Sequence, residues 1–131
     1  MTDEEIENRM NELVRVEDIE ELAALPLDTE AVLVSRLNDT KLKALARLPK
    51  LKRLIQGGNS QVSDEGLRVL GGIPSLEELD LEWSDSITDA GLVHLHSLAN
   101  LRWLDVGFCC GVTERGVSQL RESLSGCEVV A

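Results

Sequence analysis

Apolar residues recur along this chain with a period of 25 residues. One complete unit spans residues 87–111, and Ile87 corresponds to Val62, Leu37 and Val112 in the other units. Other apolar positions repeat in the same way, such as Leu54, Leu79 and Leu104. A fixed period of about 20 to 50 residues is typical of proteins built from stacked repeat units. The pattern therefore predicts a solenoid.

Each unit divides into a helical half and an extended half. In the unit of residues 87–111, Leu92, Leu95 and Leu98 share one helical face, and the run 101–106 ends in the alternation of a half-buried strand. A good N-cap residue followed by an acid precedes every helix, and both favour a helix start. The four N-cap residues are Asn38, Ser63, Thr88 and Thr113.

The apolar spacing matches the motif L-x-x-L-x-L-x-x-N/C-x-L. It reads Leu76-x-x-Leu79-x-Leu81-x-x-Ser84 and Leu101-x-x-Leu104-x-Val106-x-x-Cys109. The chain resembles the cysteine-containing subclass of leucine-rich repeat proteins, found in F-box substrate adaptors and short bacterial repeat proteins. The resemblance implies an α/β leucine-rich-repeat solenoid of about four strand–helix units. The Asn/Cys position is mixed here, because Asn59, Ser84 and Cys109 occupy it.

The repeats are expected to form residues 16–131, preceded by an N-terminal helical cap at residues 1–15. Residues 3–14 have the periodicity of an amphipathic helix, with Ile6, Met10 and Leu13 on one face. A cap covers the core of the first unit, which stacking would leave exposed. The alternative is a helix that docks into a partner. Residues 16–36 are interpreted as a degenerate first unit with its strand at Ala31–Val34.

Charge and cysteine content narrow the class of protein. The net charge of −11 argues against non-specific nucleic-acid binding. No apolar run reaches the ~18 residues of a membrane span. Three cysteines without a metal-like pair, and an N-terminus unlike a secretory signal, favour the cytoplasm.

Residues 37–61 are rich in basic side chains, interpreted as a solvated helix face rather than a binding patch.

The outward positions of the strands supply the candidate binding surface. All three aromatic residues of the chain fall there, and the first and last of them should be neighbours one period apart. Carboxylates surround them, which suits a protein partner with an apolar anchor and basic residues. An alternative is that Trp83 and Phe108 close the core at the strand-to-helix corner. The predicted partner-binding residues are Arg53, Glu78, Asp80, Glu82, Trp83, Trp103, Asp105 and Phe108.

No segment has the pattern of a catalytic site, so no catalytic residue, metal or cofactor is predicted. A cation between Asp80 and Asp105 is the weaker alternative. Cys109 matches an inward position of the repeat, where its thiol can approach backbone groups of the loop, and is expected to be structural. Cys110 is expected to be more exposed. The predicted function is a non-catalytic protein–protein interaction module that uses its concave strand face, as a monomer or with weak self-association through the solenoid ends. The alternative is an adaptor or assembly-factor subunit, similar to a ubiquitin-ligase receptor or a respiratory-complex assembly factor.

Overall fold

A computed structural model describes residues 2–5, 13–58 and 60–131. Within these residues, six parallel strands form one sheet, and their order in the sheet follows their order in the chain. The strands are β1 (Val14–Val16), β2 (Ala31–Val34), β3 (Arg53–Gln56), β4 (Glu78–Asp80), β5 (Trp103–Asp105) and β6 (Glu128–Val130). The α/β prediction is confirmed, and Ala31–Val34 is the strand that was expected.

Helical segments connect consecutive strands and pack side by side. They are α1 (Ile19–Ala23), α2 (Asp39–Leu45), α3 (Asp64–Leu70), α4 (Asp89–Leu92) and α5 (Glu114–Ser123), with a 3₁₀ helix at Val93–Ser97 after α4. The described helices are too short or too polar to cross a bilayer.

The repeat period sets the strand register. Leu54 lies beside Leu79, Leu79 beside Leu104 and Leu104 beside Val129. The three leucines are fully buried and Val129 nearly so. Because side chains alternate along a strand, this row faces the helices and the residues between face the other side of the sheet. The apolar assignment made from the sequence is confirmed along this row.

Aspartates tie each of α2, α3 and α4 to the α-helix that follows it. Oδ1 of Asp64 accepts the Thr88 backbone N–H at 2.7 Å, and Oδ2 accepts the Thr88 hydroxyl at 2.6 Å. Asp39 holds Ser63 in the same way, and Asp89 holds Thr113. The acid that follows each N-cap therefore binds the N-cap of the next unit, in addition to lying in the first turn of its own helix.

Recurrent glycines make room for these aspartates. A Cβ on Gly91 would lie 2.6 Å from Cγ of Asp64, far inside van der Waals contact, and Gly66 and Gly116 face Asp39 and Asp89 in the same way. The recurrence of glycine inside the first helical turn predicts, from the sequence, that the next unit packs closely against it. The crowding atom belongs instead to the preceding unit, whose aspartate reaches forward.

The N-terminal region departs from the sequence prediction. Residues 3–5 are helical, but Val14 begins β1, so the predicted helix over residues 3–14 is wrong at its C-terminal end. Val14 pairs with Val32, and this sheet contact outweighs the helical periodicity of the segment. Ile6 and Met10 lie outside the described residues, and the 1–15 cap stays a prediction.

Candidate partner-binding surface

Trp83 and Phe108 form an exposed aromatic stack. They lie in the turns that follow β4 and β5, and their ring centroids are 4.3 Å apart with an interplanar angle of 12°. Trp83 is 58% exposed and Phe108 is 68% exposed. The prediction that the two are neighbours is confirmed. Their exposure contradicts the alternative in which both rings close the core.

Both stacked residues have left-handed backbone conformations. The φ angle is 63° at Trp83 and 55° at Phe108, and the matching position after β3 is Gly58 with φ of 102°. A bulky residue with positive φ costs roughly 1–2 kcal/mol, whereas glycine adopts it freely. The Trp83 N–H donates to the Gly107 carbonyl at 2.9 Å and helps to hold this turn. Large aromatic side chains thus occupy positions where the backbone favours glycine.

A row of side chains crosses the sheet at the first residue of each strand from β3 to β6. Arg53, Glu78, Trp103 and Glu128 are neighbours in the register of β3 to β6. Nε of Arg53 lies 2.6 Å from Oε2 of Glu78, and both side chains are largely buried. Trp103 is half-buried and lies beside Glu78 and Glu128 rather than in the stack. The structure therefore places these predicted residues in a group separate from the stack.

Three carboxylates lie between these two groups. Oxygen atoms of Asp80, Glu82 and Asp105 are all within 4.8 Å of one another. Asp80 is only 7% exposed, so the prediction of an accessible contact residue is wrong for it. Burial raises the pKa of Asp80 to about 6, and repulsion from Glu82 and Asp105 adds to this shift. A hydrogen bond from the Glu82 backbone N–H acts in the opposite direction and lowers the pKa. Burial and Asp105 also raise the pKa of Glu82.

Two of these carboxylates hold the turns that carry the aromatic rings. Oδ1 of Asp80 accepts the Glu82 N–H at 3.1 Å, and Oδ1 of Asp105 accepts the Gly107 N–H at 2.8 Å. Such bonds from an aspartate to the backbone two residues later stabilise turns. Clustered carboxylates are also the kind of oxygen ligand that Ca²⁺ binds. Their backbone hydrogen bonds give two of them a structural role.

Gln56 is a site residue that the sequence reasoning missed. It is buried at a position equivalent to Leu81, and its amide donates to the Glu82 carbonyl at 2.9 Å while its Oε1 accepts the Gly58 N–H at 2.7 Å. These bonds link the turn after β3 to the turn after β4. The feature of the sequence that could have identified Gln56 is a polar residue at an otherwise apolar position of the repeat.

The Asn/Cys position forms buried polar contacts, as expected. The Cys109 thiol donates to the Leu81 carbonyl at 3.2 Å, and burial raises its pKa, which keeps it protonated. Ser84 is fully buried, and its hydroxyl is 2.7 Å from that of Ser60. Cys110 is exposed. Asn59 lies outside the described residues. The structural role of Cys109 and the exposure of Cys110 agree with the predictions.

The basic residues of the second unit are largely engaged within the fold. Arg47 donates to the Leu22, Ala23 and Leu25 carbonyls at the end of α1, where a cation is favourable. Lys41 donates to the carbonyls of Ser35 and Arg36. Lys52 pairs with Glu30 at 2.9 Å. The interpretation of the basic run as a solvated helix face is wrong for Lys41, which is buried. The contacts of these residues support a role in the fold rather than in a phosphate-binding patch.

A comparison with family models gives the class of this fold. The model described as "Leucine Rich repeat" matches residues 72–95, which include β4, the Trp83 turn and α4. Residues 72–95 are a leucine-rich repeat unit. A search of the curated proteins finds no significant match. Leucine-rich repeat domains generally mediate protein–protein interactions and are typically non-catalytic.

Proposed function

We propose that this leucine-rich repeat protein is a non-catalytic interaction module that binds a partner protein through its strand face, with the Trp83–Phe108 stack as anchor. The proposal includes a solenoid architecture in which the strand face is concave. The sequential order of the strands and their register of one repeat period support this architecture. The membership of the cysteine-containing subclass is supported by the inward position of Cys109.

The exposed stack is the observation that carries the proposal. Trp83 and Phe108 remain more than half exposed. Packing of their rings in the core therefore does not offset the cost of the strained backbone at their positions. Aromatic residues, and Trp above all, are enriched among the residues that contribute most to protein–protein binding. The neighbouring Glu82 and Asp105 carry negative charge beside the rings, which favours a partner with basic residues.

The strand face supplies a semi-rigid base for such a contact. The Arg53–Glu78 pair and half-buried Trp103 lie on adjacent strands. Their partial burial means that they shape the surface, while the stack projects from it. An adaptor or assembly-factor role would need a second docking element, and most of the N-terminal segment in which the sequence places it lies outside the described residues.

Capture of a partner from lysate of the native source tests the proposal. The test protein carries Trp83→Gly and Phe108→Gly, because glycine suits both backbone positions and keeps the turns. The control is Val93→Ser, which alters another exposed apolar residue on the 3₁₀ helix. We expect wild type and control to capture one partner equally, and the stack variant to lose at least ~1.4 kcal/mol, or tenfold, in affinity.

Circular dichroism and the urea midpoint establish that each variant is folded. A folded stack variant that binds the same partner as tightly as wild type does would refute the proposal.

A further inference from the structure

A groove of about 820 Å³ opens beside the aromatic stack, at the end of the sheet where β6 lies. Trp83 and Phe108 both line it, so it is continuous with the proposed contact surface. Its volume falls in the range of about 300 to 1,000 Å³ that is usual for ligand sites. We name it the corner groove.

The lining of the corner groove is apolar near the core. Val106 and Val117 belong to the hydrophobic core, and partly buried Val112 packs against it. An apolar side chain that enters the groove therefore reaches residues of the core itself. Burial of a leucine-sized side chain stabilises a complex by about 1.5–3 kcal/mol.

The rim of the groove carries negative charge. Asp85 and Glu114 are exposed there. Arg121 is the basic residue in the lining, and its guanidinium donates to the Val129 carbonyl at 2.8 Å. The Glu114 carboxylate is exposed to solvent, the exposed Asp85 carboxylate accepts a hydrogen bond from the Cys110 thiol at 3.6 Å, and Arg121 contacts the fold. A basic side chain of a partner complements this rim.

We propose that the corner groove binds a short extended segment of the partner protein, which inserts one apolar side chain over Val106, Val112 and Val117 and places lysine or arginine against Asp85 and Glu114. This inference rests on the proposed function, and it names the chemistry of the partner. The stack forms one wall of the groove, so the same segment contacts both. An extended segment points successive side chains to opposite sides, so one side chain can enter the groove while its neighbours reach the rim.

Cys110 provides a reporter for occupancy of the groove. Its thiol lines the groove and is exposed, whereas Cys109 is buried. In a Cys127→Ser background, the rate of maleimide modification therefore reports access to Cys110. The probes are three capped peptides, Gly-Arg-Leu-Arg-Gly, Gly-Glu-Leu-Glu-Gly and Gly-Arg-Ser-Arg-Gly, each at about 5 mM, since short segments bind weakly.

We expect the Arg-Leu-Arg peptide to slow modification of Cys110 at least about fivefold, by mass action on the bound state. The Glu-Leu-Glu and Arg-Ser-Arg peptides should change the rate less than about twofold, because each lacks one of the two contacts. Asp85→Asn with Glu114→Gln should abolish the protection. The matched control is Glu122→Gln, an exposed acid on α5 outside the groove lining.

Four results would overturn the inference. They are no protection by the Arg-Leu-Arg peptide, equal protection by either other peptide, protection unchanged in the Asp85/Glu114 variant, and protection that rises with protein concentration alone, which would assign the groove to a second copy of the chain. If the stack variant loses the native partner and the groove gives any of these results, the proposed function stands and this inference fails. Retention of the partner by the stack variant refutes the proposed function whatever the peptides do.

Discussion

Replacement of Gly91 by alanine tests how one repeat unit is joined to the next. The new Cβ would lie 2.6 Å from Cγ of Asp64 and 2.9 Å from Cδ1 of Leu67. The leucine methyl group can rotate away, but the carboxylate is held by two hydrogen bonds to Thr88. To admit the Cβ, the carboxylate must give up one or both of these bonds.

The expected loss follows from those two bonds. A hydrogen bond to a charged group contributes about 1.5–3 kcal/mol when buried, and roughly 1 kcal/mol at an exposed site such as this one. Alanine recovers about 0.5–1 kcal/mol because it favours the helix more than glycine does. Gly91→Ala should therefore lower the free energy of unfolding by up to about 1.5 kcal/mol. Asp64→Ala alone, which removes both hydrogen bonds, should cost about 2 kcal/mol.

A double-mutant cycle isolates the clash. In an Asp64→Ala background no carboxylate opposes the new Cβ, so Gly91→Ala should cost nothing or stabilise the protein slightly. The four proteins are compared by urea unfolding, followed by circular dichroism at neutral pH. Gly126→Ala is the control substitution, because a Cβ there meets no atom within 4 Å. If Gly91→Ala costs the same in both backgrounds to within ~0.5 kcal/mol, the assigned contact is wrong.

Substitutions at three further positions test the site and the core. The folded-state pKa of Asp80 is about 6, above the ordinary 3.8, so its contribution to stability is complete below pH 4 and is lost as pH rises through 6. Asp80→Asn should thus raise the unfolding free energy by about 1–3 kcal/mol at pH 8 and leave it nearly unchanged at pH 3; destabilisation at pH 8 would contradict this. Trp83→Gly should be more stable than Trp83→Ala by about 1 kcal/mol in urea unfolding, because both remove the ring and only glycine relieves the positive φ. Leu79→Ala should cost ~2–5 kcal/mol in the same assay, and a loss below about 1 kcal/mol would be incompatible with its complete burial.

The repeat pattern and the inward row of the sheet could be predicted from the sequence. Leu54, Leu79 and Leu104 recur because every unit buries the same side of its strand against its neighbours. The same requirement in each unit repeats the apolar residues at a fixed spacing along the sequence. Cys109 was placed inward by the same reasoning. The proximity of Trp83 and Phe108 followed as well, since residues one period apart are adjacent on neighbouring units.

The tertiary structure alone decided what each outward residue does. Asp80 and Glu82 differ by two positions in the sequence, but surrounding side chains bury the first and leave the second partly exposed. Strand β1 was missed because the helical periodicity before it carries no information about pairing with β2. The contact of Asp64 with Thr88 likewise depends on how two units stack. A local pattern records which residues are apolar, whereas burial, charge repulsion and strand pairing depend on which distant residues the fold brings together.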